Sequence, residues 1–367
     1  MIVNADKTSN KYLMNPKNYN DLLEKNVQAV YQKETKQNVD AVTTAHQSVV
    51  TQLDLQERVF KTVNRAAFFS IKDHKENYLN DPQVRVLNPC KPEIGKISNQ
   101  ILKKVIKIIR AKSKLTQWKN TDDVIGWFKK LTNKKRKRFI QFDIVSYYPS
   151  ITPELLEKSL NWACMYVDIT QQEKEIIVQA KKSFLYTGKT PWVKKGDVNF
   201  DNGMGSYDGA ECCDLIGLFL LDQLTNRIKE LQTGSYRDDS LAVAETTPRN
   251  LEKLRQKVVK IFGEFGLKIT STANLKVVQF LDVTLDLENE VYKPYIKPGD
   301  RPLYVNSQSN HPPSILKNIP LAVNKRLCNI SANKDIFDAA APLYQAELNR
   351  AGYQHKLEFK SPEKPKR

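Results

Sequence analysis

The sequence predicts an α+β protein in which an antiparallel sheet layer is backed by helices. Three observations carry this expectation. Strand-like and helix-like segments follow one another in the order strand, helix, long apolar helix, strand–turn–strand, helix, strand. Ala210–Leu224 is mostly apolar, so it must be buried on several sides. Gly234–Ala244 reads as two short strands joined by a turn that carries adjacent acids. The chain has 367 residues, 40% apolar and 27% charged, the balance of a globular protein of two or three folded units. No run of 18 apolar residues exists, which excludes a simple spanning helix, and no membrane partner is expected.

The elements follow in order. Residues 1–60 are polar, with modest helical periodicity, and read as a helical N-terminal extension (1–62). Ala66–Lys72 and Val84–Leu87 look like short strands separated by a polar loop. Gly95 and Lys96 open an amphipathic helix with Ile97, Ile101, Val105, Ile108 and Ile109 on one face and Lys103, Lys104, Lys107 and Arg110 on the other. Phe139–Val145 is an apolar strand holding one acid, Asp143. Thr152, Pro153 and Glu154 form the start signal of a helix running to Ala163. Residues 171–184 read as a further helix and 185–203 as a hairpin. Asn250–Phe265 is amphipathic, Gly266–Leu287 gives strand, turn, strand, 294–313 is a proline-rich loop, and 314–350 is helical.

Charge is distributed unevenly. Lys and Arg number 58 against 41 Asp and Glu, a net charge of +17, which points to an acidic partner such as nucleic acid. Residues 101–140 hold fourteen Lys or Arg against two Asp and end in Lys134-Lys135-Arg136-Lys137-Arg138. Such a run is a solvated face, a nuclear-import signal or a phosphate-contacting surface; its position beside a buried strand favours the last. The N-terminus lacks an apolar signal core, and the five cysteines include no CxxC pair, so an intracellular, reducing compartment is expected, nuclear or cytoplasmic.

The chemistry is concentrated in carboxylates. Asp143 lies inside an apolar strand, where a charge must be compensated. Asp238 and Asp239 sit at the tip of a tight hairpin. An Asp-Asp pair alone is most often a surface turn. Three carboxylates from neighbouring strands, however, can hold two divalent cations roughly 3.5–4 Å apart. Oxygen-only ligands and four scattered histidines select Mg²⁺, with Mn²⁺ able to substitute, over Zn²⁺.

These residues resemble a reverse transcriptase, most closely that of Penelope-like retroelements. Phe142–Ser150 resembles the first catalytic motif, and Tyr236-Arg237-Asp238-Asp239 the YxDD hairpin. Gly203–Gly209 is similar to the Gly-rich entry to the long palm helix, and Lys72–Lys75 with Arg85–Pro89 to the fingers motifs. Gly266–Lys268 and Phe280–Val283 resemble the late palm strands and primer grip, and Ser309–Pro313 a downstream segment of the same group. The resemblance spans about 64–330 in the expected order. It implies a right-hand polymerase fold: basic fingers over 63–140, a palm over 141–296 with fingers elements interleaved, and a primer grip and short thumb over 297–367 ending in a polar tail. Elements of this group continue into a GIY-YIG endonuclease; no such pair is found here, so a polymerase core alone is expected.

The resemblance also implies roles. Asp143, Asp238, Asp239 and the carbonyl of Ile144 would be metal ligands, the three acids being the catalytic set. Lys72 or Lys75, with Arg85, would clamp a dNTP triphosphate; otherwise they belong to a solvated hairpin. Tyr148 would exclude a 2′-hydroxyl, while Tyr147, on the opposite face by strand alternation, would pack. Gly205 and Gly209 would let the backbone approach the nascent base pair, or simply form a helix-entry loop. Asp208 departs from the family pattern and would either face the nucleotide or cap the helix. Tyr236, Arg237, Phe280, Leu281, Lys134, Lys135 and Arg136 would meet primer and template, and Arg237 could instead pair with an acid. Lys268 or Lys276 would be a general acid; the sequence does not choose. Cys212 and Cys213 would pack in the buried helix, and His311 would be structural. The implied activity is RNA-templated DNA synthesis on a DNA primer with dNTPs. Two rivals are a template-independent or protein-primed nucleotidyl transferase and a non-catalytic nucleic-acid-binding scaffold.

Overall fold

The computed structural model describes residues 1–6, 10–58, 66–73, 78–89, 94–196 and 199–360. The chain divides into two compact units, both discontinuous in sequence.

The first unit comprises Met1–Leu115, Ile144–Asn226 and Lys260–Ile269. It opens with β1 (Ile2–Asn4) and β2 (Lys11–Leu13), then α1 (Pro16–Val30), β3 (Tyr31–Lys33) and α2 (Lys36–Gln52). The N-terminal region is therefore not purely helical as expected. Its strands find partners far along the chain: β1 continues into a parallel bridge between Ala5 and Ile71. β4 (Phe68–Ile71) and β5 (Val84–Leu87) form an antiparallel pair. α3 (Ile94–Lys112) buries Ile97, Leu102, Val105, Ile106 and Ile109, with Ile101 and Ile108 at the margin of that face.

The strand sequence continues with β6 (Thr116–Gln117), α4 (Thr121–Lys130) and β7 (Arg138–Ile144). The chain leaves β7 through Ser146, whose φ of 52° lies in the left-handed region, and enters the single turn α5 (Tyr147–Ser150). Tyr147 is buried and donates its hydroxyl to the Cys213 carbonyl at 2.8 Å, so it packs as expected. Strand alternation is not the reason, because the strand has already ended. α6 (Pro153–Ala163) starts at Thr152, whose side chain accepts the Leu155 N–H. α7 (Gln171–Gln179) begins with a reciprocal capping box between Thr170 and Glu173. It ends earlier than the sequence suggests, since 182 onward turns into the hairpin β8 (Leu185–Thr187) and β9 (Thr190–Lys194), which pairs with β3. α8 (Gly209–Arg227) buries twelve residues, as its mostly apolar sequence requires.

The second unit comprises Thr116–Asp143, Arg227–Val259 and Thr270–Arg367. β10 (Gln232–Tyr236) and β11 (Asp239–Ala244) form an antiparallel hairpin, followed by α9 (Pro248–Glu264), β12 (Ile269–Leu275), β13 (Val277–Phe280), β14 (Val283–Asp286) and β15 (Val291–Pro294). The sheet runs β12-β7-β11-β10-β6, antiparallel at β7–β11 and β11–β10 and parallel at β10–β6. A three-stranded antiparallel sheet, β13-β14-β15, is separate. The C-terminal helical stretch is two helices, α10 (Pro313–Asn329) and α11 (Lys334–Arg350), broken where Asn333 caps the second. One core joins them: Trp118, Phe128, Phe139, Leu241, Val243, Phe280, Leu285, Leu327 and Phe337 are all buried together. Among the described residues, no helix is long and apolar enough to cross a membrane.

Candidate active site

The acidic end of the five-stranded sheet is built by register. β7 and β11 pair so that Asp143 stands directly opposite Asp239, with Gln141 opposite Leu241 and Phe139 opposite Val243. Side chains two residues apart share a face, so the two acids continue the same face whose inner half joins the buried core. Asp238 is the second residue of the two-residue turn that joins Tyr236 to Asp239. All three acids are half-buried. Like charges facing each other across a ladder are unfavourable by themselves. The pairing is therefore one a cation would stabilise, and carboxylate oxygens are hard ligands suited to Mg²⁺. Among the described residues no three His, Cys, Asp or Glu side chains form a ready-made metal cluster. A metal would be held first by the facing pair, with Asp238 drawn in from the turn.

The turn itself is strained. Arg237 has a φ of 54°, in the region that favours glycine. Its guanidinium carbon lies 5.7 Å from the centre of the Tyr236 ring. A second two-residue turn, Leu281-Asp282 between the paired residues Phe280 and Val283, repeats the device, with Leu281 at φ 53°. Asp282 accepts from Thr121 and pairs with Arg326, which ties this turn to α4 and α10. Gln141 donates to the Gln279 carbonyl at 3.0 Å, so the second hairpin lies beside the face that carries the acids. Phe280 is 2% exposed and edge-on to Trp118, so its side chain belongs to the core.

The sequence reading missed Trp118. Its backbone N–H donates to the Ser235 carbonyl at 2.8 Å, and its ring lies over Gly234. A Cβ on Gly234 would stand 2.3 Å from a Trp118 ring carbon, so this strand needs glycine for the indole to brace the YRDD hairpin. The available signal was a glycine inside a strand pattern, which marks close approach of another group.

Several expected site residues are placed otherwise. Lys276 donates to the Lys135 carbonyl at 2.5 Å. That carbonyl precedes Arg138, the first residue of β7, whereas Asp143 is near the last, roughly 17 Å away at about 3.3 Å per residue. Lys276 is thus at the wrong end of the strand to be a general acid. The carbonyl of Lys268 accepts the Val145 N–H at 2.9 Å, which fixes its backbone beside the residue two beyond Asp143. Lys134 folds back to the Leu131 carbonyl and over Phe128, and Arg136 stands 3.6 Å from Glu245, while Lys135 is exposed. The basic face of α3 is not a bare phosphate track either: Lys103 faces Glu211, Lys104 faces Glu173 and Arg110 pairs with Asp214 at 3.1 Å.

The remaining nucleotide-binding candidates lie in the first unit. The Lys72 N–H donates to the Gln83 carbonyl, closing the β4–β5 hairpin, and Lys75 lies outside the described residues. Arg85 is ion-paired with the buried carboxylate of Asp6 at 3.2 Å, a partner the sequence did not suggest. Tyr148 is half-buried in α5, and the Ile144 side chain is buried at the end of β7. Gly205 has a φ of 110°, and a Cβ there would lie 2.6 Å from the Asn88 carbonyl. A Cβ on Gly209 would lie 2.6 Å from Ser206 Oγ. Backbone packing thus leaves no room for a side chain at Gly205, and one at Gly209 would displace the Ser206 hydroxyl. Asp208 neither faces a nucleotide nor caps α8 with its side chain; it is buried against Lys181. Cys212 and Cys213 are buried as expected, and burial pushes the Cys212 thiol up to about 12. His311 is exposed, its Nδ1 2.7 Å from Ser309 Oγ.

Comparison with solved structures settles the architecture. The telomerase of Candida albicans in complex with a fragment of telomeric RNA matches 96% of this chain with a TM-score of 0.63 at 10% identity. The fold is that of a right-hand polymerase. Apo telomerase of Candida tropicalis matches the same share with a TM-score of 0.59, also at 10% identity. The chain spans 63% and 66% of the lengths of those two telomerase chains. No family model matches the sequence, and no curated protein is similar enough in sequence to match. Within the right-hand fold, the facing acids and their turn are the feature around which a site can be built.

Proposed function

We propose that the chain is an RNA-directed DNA polymerase of the Penelope-like retroelement type, extending a DNA primer on an RNA template with dNTPs. The observation that carries this reading is the register that sets Asp143 against Asp239 beside Asp238 on the turn of a right-hand fold. Asp143, Asp238 and Asp239, with the Ile144 carbonyl, would hold Mg²⁺. When bound, the metal would lower the pKa of the primer hydroxyl and neutralise charge on the leaving pyrophosphate. The protein's own part is positioning. The two hairpin turns would present Tyr236 and Leu281 to the primer, and the Tyr148 ring would sit under the sugar and exclude a 2′-hydroxyl. Lys72 and Arg85 would bind the triphosphate, with Arg85 sharing its guanidinium with Asp6. Lys268 would donate the proton that leaves with pyrophosphate, since Lys276 is held away from the acids. Exposed Lys135 and Arg136 would meet backbone phosphates without reading bases.

Primer extension on poly(rA) with an oligo(dT) primer in Mg²⁺ tests the reading. Template-dependent synthesis should fall on the order of 10²–10³-fold or more in Asp238→Asn, whose change removes charge but not shape. Equal labelling without template would replace this reading with a template-independent transferase. Tight, salt-sensitive binding of the hybrid with no incorporation would replace it with a scaffold.

A further inference from the structure

The most enclosed ionic contact described in the first unit joins Lys181 to Asp208. Lys181, just past the end of α7, is fully buried, and its Nζ is 2.7 Å from the carboxylate of Asp208, which is 1% exposed. Removing both charges from water is costly, and such a pair is a poor source of stability compared with apolar side chains of similar size. What it supplies is a fixed geometry, and here the geometry belongs to one loop. The Lys181 carbonyl accepts the Asp201 N–H at 2.8 Å, and Lys181 Nζ donates to Asn202 Oδ1 at 3.0 Å. Asn202 Nδ2 in turn donates to the Gly209 carbonyl at 3.3 Å. One residue therefore grips both ends of the segment 201–209.

Other contacts close the remaining sides. Ser98 on α3 donates to Asp208 at 2.5 Å, and Asn99 donates to the Tyr207 carbonyl at 2.8 Å. The Asn88 N–H donates to the Met204 carbonyl at 3.1 Å, directly beside the contact that excludes a side chain at Gly205. Burial lowers the Lys181 pKa, but Asp208 together with Cys212 and Cys213 outweighs it and leaves the pKa above its usual value, so the amine stays charged. An ammonium with this charge and three donors is matched to its surroundings, whereas a neutral side chain would keep the backbone contact to 201 but would not hold 202 and 208 together.

We infer that Lys181 is a positioning residue: through its ion pair with Asp208 it sets the shape of the Gly203–Gly209 loop, and with it the affinity for the incoming nucleotide. The link to the nucleotide rests on the function proposed above; the link to the loop does not.

The test is the full-length double variant Lys181→Met/Asp208→Asn, which removes both charges, keeps the volumes close and leaves Ser98 an acceptor. The midpoint of thermal unfolding should stay near that of the wild type, while backbone amides of 203–209 exchange with solvent faster than in the wild type. In primer extension, KM for dNTP should rise by about tenfold to a hundredfold with kcat changed by less than about threefold. The single variant Lys181→Met, which strands the Asp208 charge, should lower the midpoint, and adding Asp208→Asn should restore it. Unchanged loop exchange in the double variant overturns the inference. So does a uniform acceleration of exchange along the whole chain with a lowered midpoint, which would make the pair merely structural. Faster loop exchange with KM unchanged overturns the link to the nucleotide. A wild-type protein that does not extend primers would instead sink the proposed function, leaving the exchange measurement to decide the role of Lys181 in the loop.

Discussion

Replacing Gly234 by alanine should destabilise the second unit, although the same change in an ordinary strand is neutral or favourable. Alanine reduces the freedom of the unfolded chain, which alone would stabilise by about 0.4–1 kcal/mol. At Gly234 the added methyl would stand 2.3, 2.6 and 2.7 Å from three Trp118 ring carbons. Ordinary carbon contacts lie near 3.5–4.0 Å, so the ring would have to move by about 1 Å. It has little room to do so. Trp118 is 4% exposed and held edge-on by Trp127 at 5.2 Å and Phe280 at 5.3 Å. Overpacking of this kind costs about 1–3 kcal/mol, so Gly234→Ala should lose about 2 kcal/mol in urea unfolding followed by circular dichroism. The Trp118→Leu background supplies the control. Truncating the indole is itself costly, but with the ring gone the methyl has space, and Gly234→Ala should then be neutral or slightly stabilising. The double-mutant cycle should therefore return a coupling of about 2 kcal/mol. A cost that is the same in both backgrounds, within about 0.5 kcal/mol, would refute the contact between Trp118 and the YRDD hairpin.

Arg237→Gly should relieve the left-handed φ at the Tyr236–Asp239 turn and stabilise the hairpin by up to about 1 kcal/mol, less what the Tyr236 contact contributes, read from the same urea unfolding. Of the described cysteines, Cys164 is exposed and should react rapidly with a thiol reagent at pH 8, while Cys212 and Cys213 stay silent until denaturant is added. With the Cys212 pKa at about 12, its thiolate fraction at that pH is on the order of 10⁻⁴. His46 is held below its usual pKa, chiefly by burial. The group is neutral in the folded chain, so its contribution is fully present above the unfolded pKa of about 6.5 and is lost as pH falls through the lower folded value. Stability should decline as pH falls from about 6.5 to that lower value, and His46→Gln should flatten this part of the pH profile.

The elements around the acids were legible because their signals are local. Alternation and one embedded acid mark β7, two strand-like runs around Asp238 and Asp239 mark the hairpin, and Thr152 with Pro153 marks the start of α6. A mostly apolar run marks α8 as buried. In each case neighbours in sequence decide the outcome, through the face a side chain takes or the backbone group a cap satisfies. The register of Asp143 against Asp239 follows almost as directly, since slipping the pairing by one residue would turn Phe139 and Val243 out of the core.

Tertiary structure decided what each side chain is free to do. Lys276 and Lys268 are alike on paper, and only the contact with Lys135 shows that Lys276 is held at the far end of the strand. Arg85 finds Asp6, Asp208 finds Lys181, and Gly234 finds Trp118 across long stretches of chain. The cations of α3 find acids on α7 and α8 in the same way. A basic or acidic residue announces its charge in the sequence, but not the opposite charge it will meet. That choice is made by chain closure and packing, which bring distant residues within a few ångströms and which no local period encodes.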